Sequence, residues 1–142
     1  MKNLLGLFLN TLFDLIFVSV LVLTFYAILL SKREYDSGEP QFFLGYKTVL
    51  ITSGSMEDTI SKGDILLVKE IDGTEAVIGD ILFFRKDEGF VVHRYVGDDK
   101  GLKSEGNSAY MITKGDNNDI EDIERLDPED VFGRVIVLGQ SG

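Results

Sequence analysis

Between Leu4 and Leu30 the chain carries a single charged residue, Asp14. The stretch from Thr11 to Leu30 holds twenty residues, and a helix of about that length crosses the roughly 30 Å hydrocarbon core of a bilayer. The run therefore predicts an amino-terminal transmembrane anchor over residues 1–31. A cleaved secretory leader competes for the same composition, but its apolar region usually spans about 7–15 residues and closes on a small-x-small site. Here the run closes on Ala27-Ile28-Leu29-Leu30-Ser31-Lys32, which favours an uncleaved anchor. Asp14 stands one turn inside the amino-terminal edge, where a carboxylate can reach the interface, and reads as a border residue. Charge leaves orientation open, since Lys2 lies on one side and Lys32 and Arg33 on the other.

Beyond the anchor the pattern changes. Residues 32–40 cluster charges with Ser37-Gly38 and Pro40 and predict a polar linker. From 41 to 142, apolar runs rich in Val, Ile, Phe and Tyr are punctuated by Gly and Asp, which predicts one mainly β domain. Strands are expected near 47–52, 65–70, 80–86, 90–97, 109–113 and 133–138. A short repeat supports them: Lys62-Gly63-Asp64-Ile65-Leu66-Leu67-Val68-Lys69 echoes Ile78-Gly79-Asp80-Ile81-Leu82-Phe83-Phe84-Arg85. Each Gly-Asp predicts a turn that launches a strand. Two copies imply paired strands and not a solenoid, and their dense apolar character implies strands covered on both faces. The acidic segment from Asp116 to Asp130 predicts a solvated loop. Glu121 stands where an EF-hand calcium loop beginning at Asp116 would need glycine.

The totals exclude several kinds of function. A formal charge of −10, from 24 acidic against 14 basic residues, argues against a nucleic-acid partner, which calls for a basic face. Cysteine is absent and histidine occurs once. Disulfides, thiolate nucleophiles and multi-histidine metal sites are therefore excluded, and neither metal nor cofactor is expected.

Chemistry gathers at three places. Ser53-Gly54-Ser55-Met56-Glu57 follows the apolar run Val49-Leu50-Ile51, so Ser55 would sit on a glycine-bearing turn after a strand, a position suited to a nucleophile. The same residues fit a helix N-cap, with acids following Ser55. His93 lies in Phe90-Val91-Val92-His93-Arg94-Tyr95-Val96, where strand alternation places it on one face with Val91 and Tyr95. It suits a packed core residue or a general base for Ser55; the second role calls for a carboxylate to fix its tautomer. Asp116, after Gly115 in Lys114-Gly115-Asp116-Asn117-Asn118, offers one, although such a sequence is also an ordinary turn.

In this order the three segments resemble the type I signal peptidases of the endoplasmic-reticulum and archaeal kind, a branch also found in spore-forming bacteria. The resemblance extends over the anchor, the two Gly-Asp strand starts and the closing Val131-Phe132-Gly133-Arg134-Val135. It implies Ser55 as nucleophile, His93 as general base and Asp116 as the carboxylate that orients the base. Asp122 matches a second aspartate of the family. The Ser53 hydroxyl and the Ser55 backbone N–H would form the oxyanion hole. Asp58 departs from the proline that the family normally has after its Met-Glu pair, which implies a looser turn and an acid near the site.

The implied protein is a single-pass membrane serine endopeptidase. It would remove signal peptides from exported preproteins by acyl-enzyme chemistry, with its catalytic domain on the trans side of the bilayer and the translocation channel as a neighbour. Two rivals stand beside it. One is a Ser/Lys dyad drawing on Lys86, Lys100, Lys103 or Lys114; the other is a catalytically silent relative that assembles exported subunits.

Overall fold

The computed structural model describes residues 2–87, 89–103 and 108–136. The chain divides into two units, Met1–Gln41 and Phe42–Gly142.

The first unit is dominated by helix α1, Lys2–Ser37, which is long and apolar enough to cross a membrane and leaves large apolar side chains exposed along its length. Four of its hydroxyls are satisfied within the helix. Thr11, Ser19, Thr24 and Ser31 donate to the carbonyls of Leu7, Leu15, Val20 and Ala27 at 3.0, 2.8, 2.8 and 3.0 Å, which leaves these hydroxyls satisfied on an apolar helix. The helix runs through residues 32–37, where a linker is expected. It stops where Gly38 takes φ 65° and donates its N–H to the Glu34 carbonyl at 2.9 Å, a left-handed C-terminal cap.

The second unit is a six-stranded antiparallel sheet of β1 (Tyr46–Leu50), β2 (Ile65–Glu70), β3 (Ile81–Lys86), β4 (Gly89–Lys103), β5 (Ala109–Lys114) and β6 (Val131–Ile136). The spatial order is β1-β2-β6-β3-β4-β5. Each expected strand has its counterpart, although residues 137 and 138 of the last lie outside the described residues. β4 runs longer than expected because its pairing with β5 continues past a register shift between Tyr95 and Gly97.

The sequence repeat is a structural repeat. In each copy the glycine takes a left-handed φ, 99° at Gly63 and 103° at Gly79, which a side chain would resist. The aspartate that follows accepts the N–H three residues back: Ser61 to Asp64 at 2.9 Å and Val77 to Asp80 at 3.0 Å. The strands so launched are not neighbours, however. β6 lies between them and pairs antiparallel with both, so β2 and β3 run parallel to each other and are joined through a crossover. Nor are both copies covered on two faces. Ile81, Leu82, Phe83 and Phe84 are all buried, whereas Ile65 remains exposed because β2 stands one place from the sheet edge.

Alternation along β3 divides the core. Ile81 and Phe83 pack with Ile51, Met56, Ile60, Val68, Val92 and Val135. Leu82 and Phe84 pack with Ile71, Tyr95, Met111, Leu126 and Val131. The acidic segment is not the free solvated loop expected of its composition. It folds back beside β5, where Met111 and Leu126 exchange both backbone hydrogen bonds at 2.8 and 2.9 Å. A 3-10 turn, Pro128–Asp130, then leads into β6, with Asp127 capping it through the Glu129 N–H at 3.0 Å.

Candidate active site

Ser55 stands on a chain of tight turns and does not cap a helix. Glu57 N–H donates to the Gly54 carbonyl at 3.2 Å, and Thr59 and Ile60 N–H both donate to the Met56 carbonyl at 3.1 and 2.8 Å. The side chain next to Ser55 fixes this turn. Met56 is 1% exposed and lies in the first core cluster with Ile51 and Ile60, so the residue before it is held at the surface of a packed body.

The Lys114-Gly115-Asp116-Asn117 turn docks directly on this loop. Asn117 N–H donates to the Ser55 carbonyl at 2.9 Å, and Asn117 Nδ2 donates to the Gly54 carbonyl at 3.1 Å. Gly115 makes the approach possible, since a Cβ there would lie 2.5 Å from the Ser55 carbonyl oxygen and 2.7 Å from Asn118 Nδ2.

His93, on β4 opposite Leu82, is buried and meets both a hydroxyl and a carboxylate. Its Nε2 is 3.1 Å from Ser55 Oγ, and its Nδ1 is 2.7 Å from Asp122 Oδ2. The His93 and Asp122 side chains are 9% and 10% exposed, and the Phe84 ring packs against the imidazole at a 6.3 Å centroid separation. Thr113 Oγ1 donates to the same Asp122 Oδ2 at 2.6 Å. An oxygen that accepts from a hydroxyl also accepts from the ring, so Nδ1 carries the proton and the Nε2 lone pair faces Ser55. A base so oriented can take the serine proton, and the carboxylate stabilises the imidazolium that results. The Ser53 hydroxyl lies 3.2 Å from Ser55 Oγ.

Asp116 is not at the imidazole. Its carboxylate forms a two-point pair with Arg94, with Nε to Oδ1 at 2.8 Å and Nη2 to Oδ2 at 2.6 Å, while Arg94 Nη1 donates to the Gly79 carbonyl at 2.8 Å. The Arg94 hydrogen bonds are the main reason that the Asp116 carboxyl titrates below the ordinary carboxylate value, against the opposing effect of its partial burial. The same bonds raise the guanidinium of Arg94. Of the two aspartates read from the sequence, Asp122 is therefore the one that meets His93. The reason is alternation on β4: His93 and Arg94 face opposite sides, and each takes a different acid.

Sequence reasoning missed Thr113. Its signal was a hydroxyl residue alternating in phase with Met111 on β5, where an apolar side chain is expected. It also treated Asp58 as a looser stand-in for proline. Asp58 adopts φ 83°, a conformation that the proline ring forbids, so the turn has a different shape and not merely a slacker one.

The profile of the S24-like peptidases matches residues 45–136. Signal peptidase I W of Bacillus subtilis (strain 168) is 38% identical over 124 residues, covering 86% of this chain and 61% of that protein. The signal peptidase complex catalytic subunit SEC11 of Clavispora lusitaniae is 34% identical over 53% of this chain and 43% of its own length. The corresponding subunit of Verticillium alfalfae is also 34% identical, over 62% of this chain and 55% of its own. The chain thus spans about two-fifths to three-fifths of the length of these relatives. No solved structure matches it.

Proposed function

The chain belongs to the S24-like peptidase family, and from that premise we propose that it is a membrane-anchored serine endopeptidase that removes signal peptides from exported preproteins. The observation that carries this reading is the continuous contact from Ser55 Oγ through the His93 ring to Asp122. Ser55 attacks the scissile carbonyl while His93 takes its proton. The tetrahedral oxyanion is held by the Ser55 N–H and the Ser53 hydroxyl. His93 then protonates the leaving amine, the peptide bond breaks, and a water deprotonated by His93 releases the acyl group and regenerates Ser55. Asp122 keeps the imidazole in the required tautomer throughout, and Asp116 acts at a distance by holding Arg94 and the turn beside Ser55.

Helix α1 fits the role of anchor. It confines the peptidase to the surface where a substrate's own apolar segment resides, which raises the effective concentration of substrate without any new contact. The catalytic domain faces the trans side, where the cleavage point emerges, and the translocation channel is the neighbour from which it emerges. The Ser/Lys alternative lacks comparable support, because among the described residues the base that meets Ser55 Oγ is an imidazole. A silent assembly factor would have no need for the Ser55–His93–Asp122 contacts.

The test is cleavage of a preprotein by the full chain in detergent micelles, with the product's new amino terminus sequenced. The wild type should cut at one site after the apolar segment. A Ser55→Ala variant that cuts equally well would refute the reading.

A further inference from the structure

We propose that Thr113 is a positioning residue for the relay, setting the rotamer of the Asp122 carboxylate so that one of its oxygens stays on His93 Nδ1. The inference rests on the reading of Ser55, His93 and Asp122 as a peptidase relay. Asp122 lies on a loop, and its backbone is tied on both sides. Its N–H donates to the Thr113 carbonyl at 2.8 Å, and its carbonyl accepts from Arg125 Nη1 at 3.0 Å. Arg125 is itself held by Asp99 on β4, Nε to Oδ2 at 3.1 Å. These contacts fix where the residue stands and leave its side-chain torsions free.

The Thr113 hydroxyl supplies the missing constraint. It donates to Oδ2 at 2.6 Å, the same oxygen that lies 2.7 Å from His93 Nδ1. Thr113 is 1% exposed, so its hydroxyl has no water to turn to, and a β-branched side chain on a strand is stiff about χ1. The donor is therefore rigid, and the acceptor is locked between it and the ring. Support of this kind keeps a catalytic constellation within the few tenths of an ångström that proton transfer needs. Burying a hydroxyl is costly unless it has such a partner.

The test compares Thr113→Val, which keeps the shape and removes the hydroxyl, with Thr113→Ser, which keeps the hydroxyl. Both are made in the full chain in detergent micelles. Valine should lower kcat at least about tenfold with KM within about twofold, and serine should restore most of the rate. Because the chain has one histidine, the Nδ1 proton resonance of His93 is unambiguous. In the valine variant it should shift or broaden, and in the serine variant it should stay near the wild-type position. Should valine prevent folding, Thr113→Ala removes the same donor and carries the same expectation. A valine or alanine variant with wild-type kcat and an unmoved Nδ1 resonance overturns the proposal, as does a loss of rate that serine does not repair. The resonance can be read in the Ser55→Ala background, so failure of this inference is separable from failure of the peptidase reading.

Discussion

His93 lies between Ser55 and Asp122 with its Nε2 3.1 Å from the hydroxyl and its Nδ1 2.7 Å from the carboxylate. Ser55 precedes β4 along the chain and Asp122 follows it, and the imidazole joins the two. This makes the base identifiable by substitution. His93→Ala should reduce preprotein cleavage by roughly 10³-fold or more, while Lys86→Ala and Lys114→Ala should stay within a fewfold of wild type. A lysine variant as damaged as the histidine variant would restore the dyad.

The Arg94–Asp116 pair makes a different prediction, about stability. Because the Asp116 carboxyl titrates below its ordinary value of 3.8 in the folded protein, the unfolded chain binds the proton more readily. The stabilisation is therefore complete above about pH 4 and is lost as pH falls through the lowered folded value. Asp116→Asn should cost about 1–2 kcal/mol at neutral pH, and the difference from wild type should shrink below pH 4. Thermal unfolding measured from pH 7 to pH 3 checks both. A gap that grows on acidification would contradict the sign.

Gly115 carries the close approach between the two loops. Gly115→Ala places a Cβ 2.5 Å from the Ser55 carbonyl oxygen, so the loops must separate. The expected cost is about 1–3 kcal/mol of stability, with a fall in kcat, because the contact displaced is the one that seats Ser55. Chemical denaturation and cleavage rates report on each, and a fully active, fully stable alanine variant would show that the loops do not need to touch.

Asp58 at φ 83° is exposed and lies three residues beyond Ser55. Asp58→Gly should raise stability by up to about 1 kcal/mol by relieving the left-handed strain. Asp58→Pro should lower it by more than about 1 kcal/mol, since the ring holds φ near −65°. The melting temperatures of the two variants should move in opposite directions; a stabilising proline would mean that the turn readily takes another form.

The long apolar helix and the strands were legible because each follows from a local period: an unbroken apolar run for α1, and Gly-Asp starts with Val, Ile and Phe for β2 and β3. Strand order was not legible, since nothing in either Gly-Asp copy announces that Val131–Ile136 will come between them. The site divides in the same way. Ser55 and His93 announce themselves through a glycine turn and a unique imidazole. The choice between Asp116 and Asp122 depends on how residues 115–126 fold back along β5, through Met111–Leu126 and Thr113–Asp122 backbone bonds. That path brings the acid six residues later to the histidine and leaves the one beside the glycine for Arg94.

The most direct test of the relay is a side-by-side measurement of kcat for Asp122→Asn and Asp116→Asn, each shown to be folded at the assay temperature. Loss of the orienting carboxylate should lower kcat by roughly 10³–10⁴-fold in Asp122→Asn, while Asp116→Asn should lose no more than about tenfold. A crippled Asp116→Asn beside a near-normal Asp122→Asn would contradict the account.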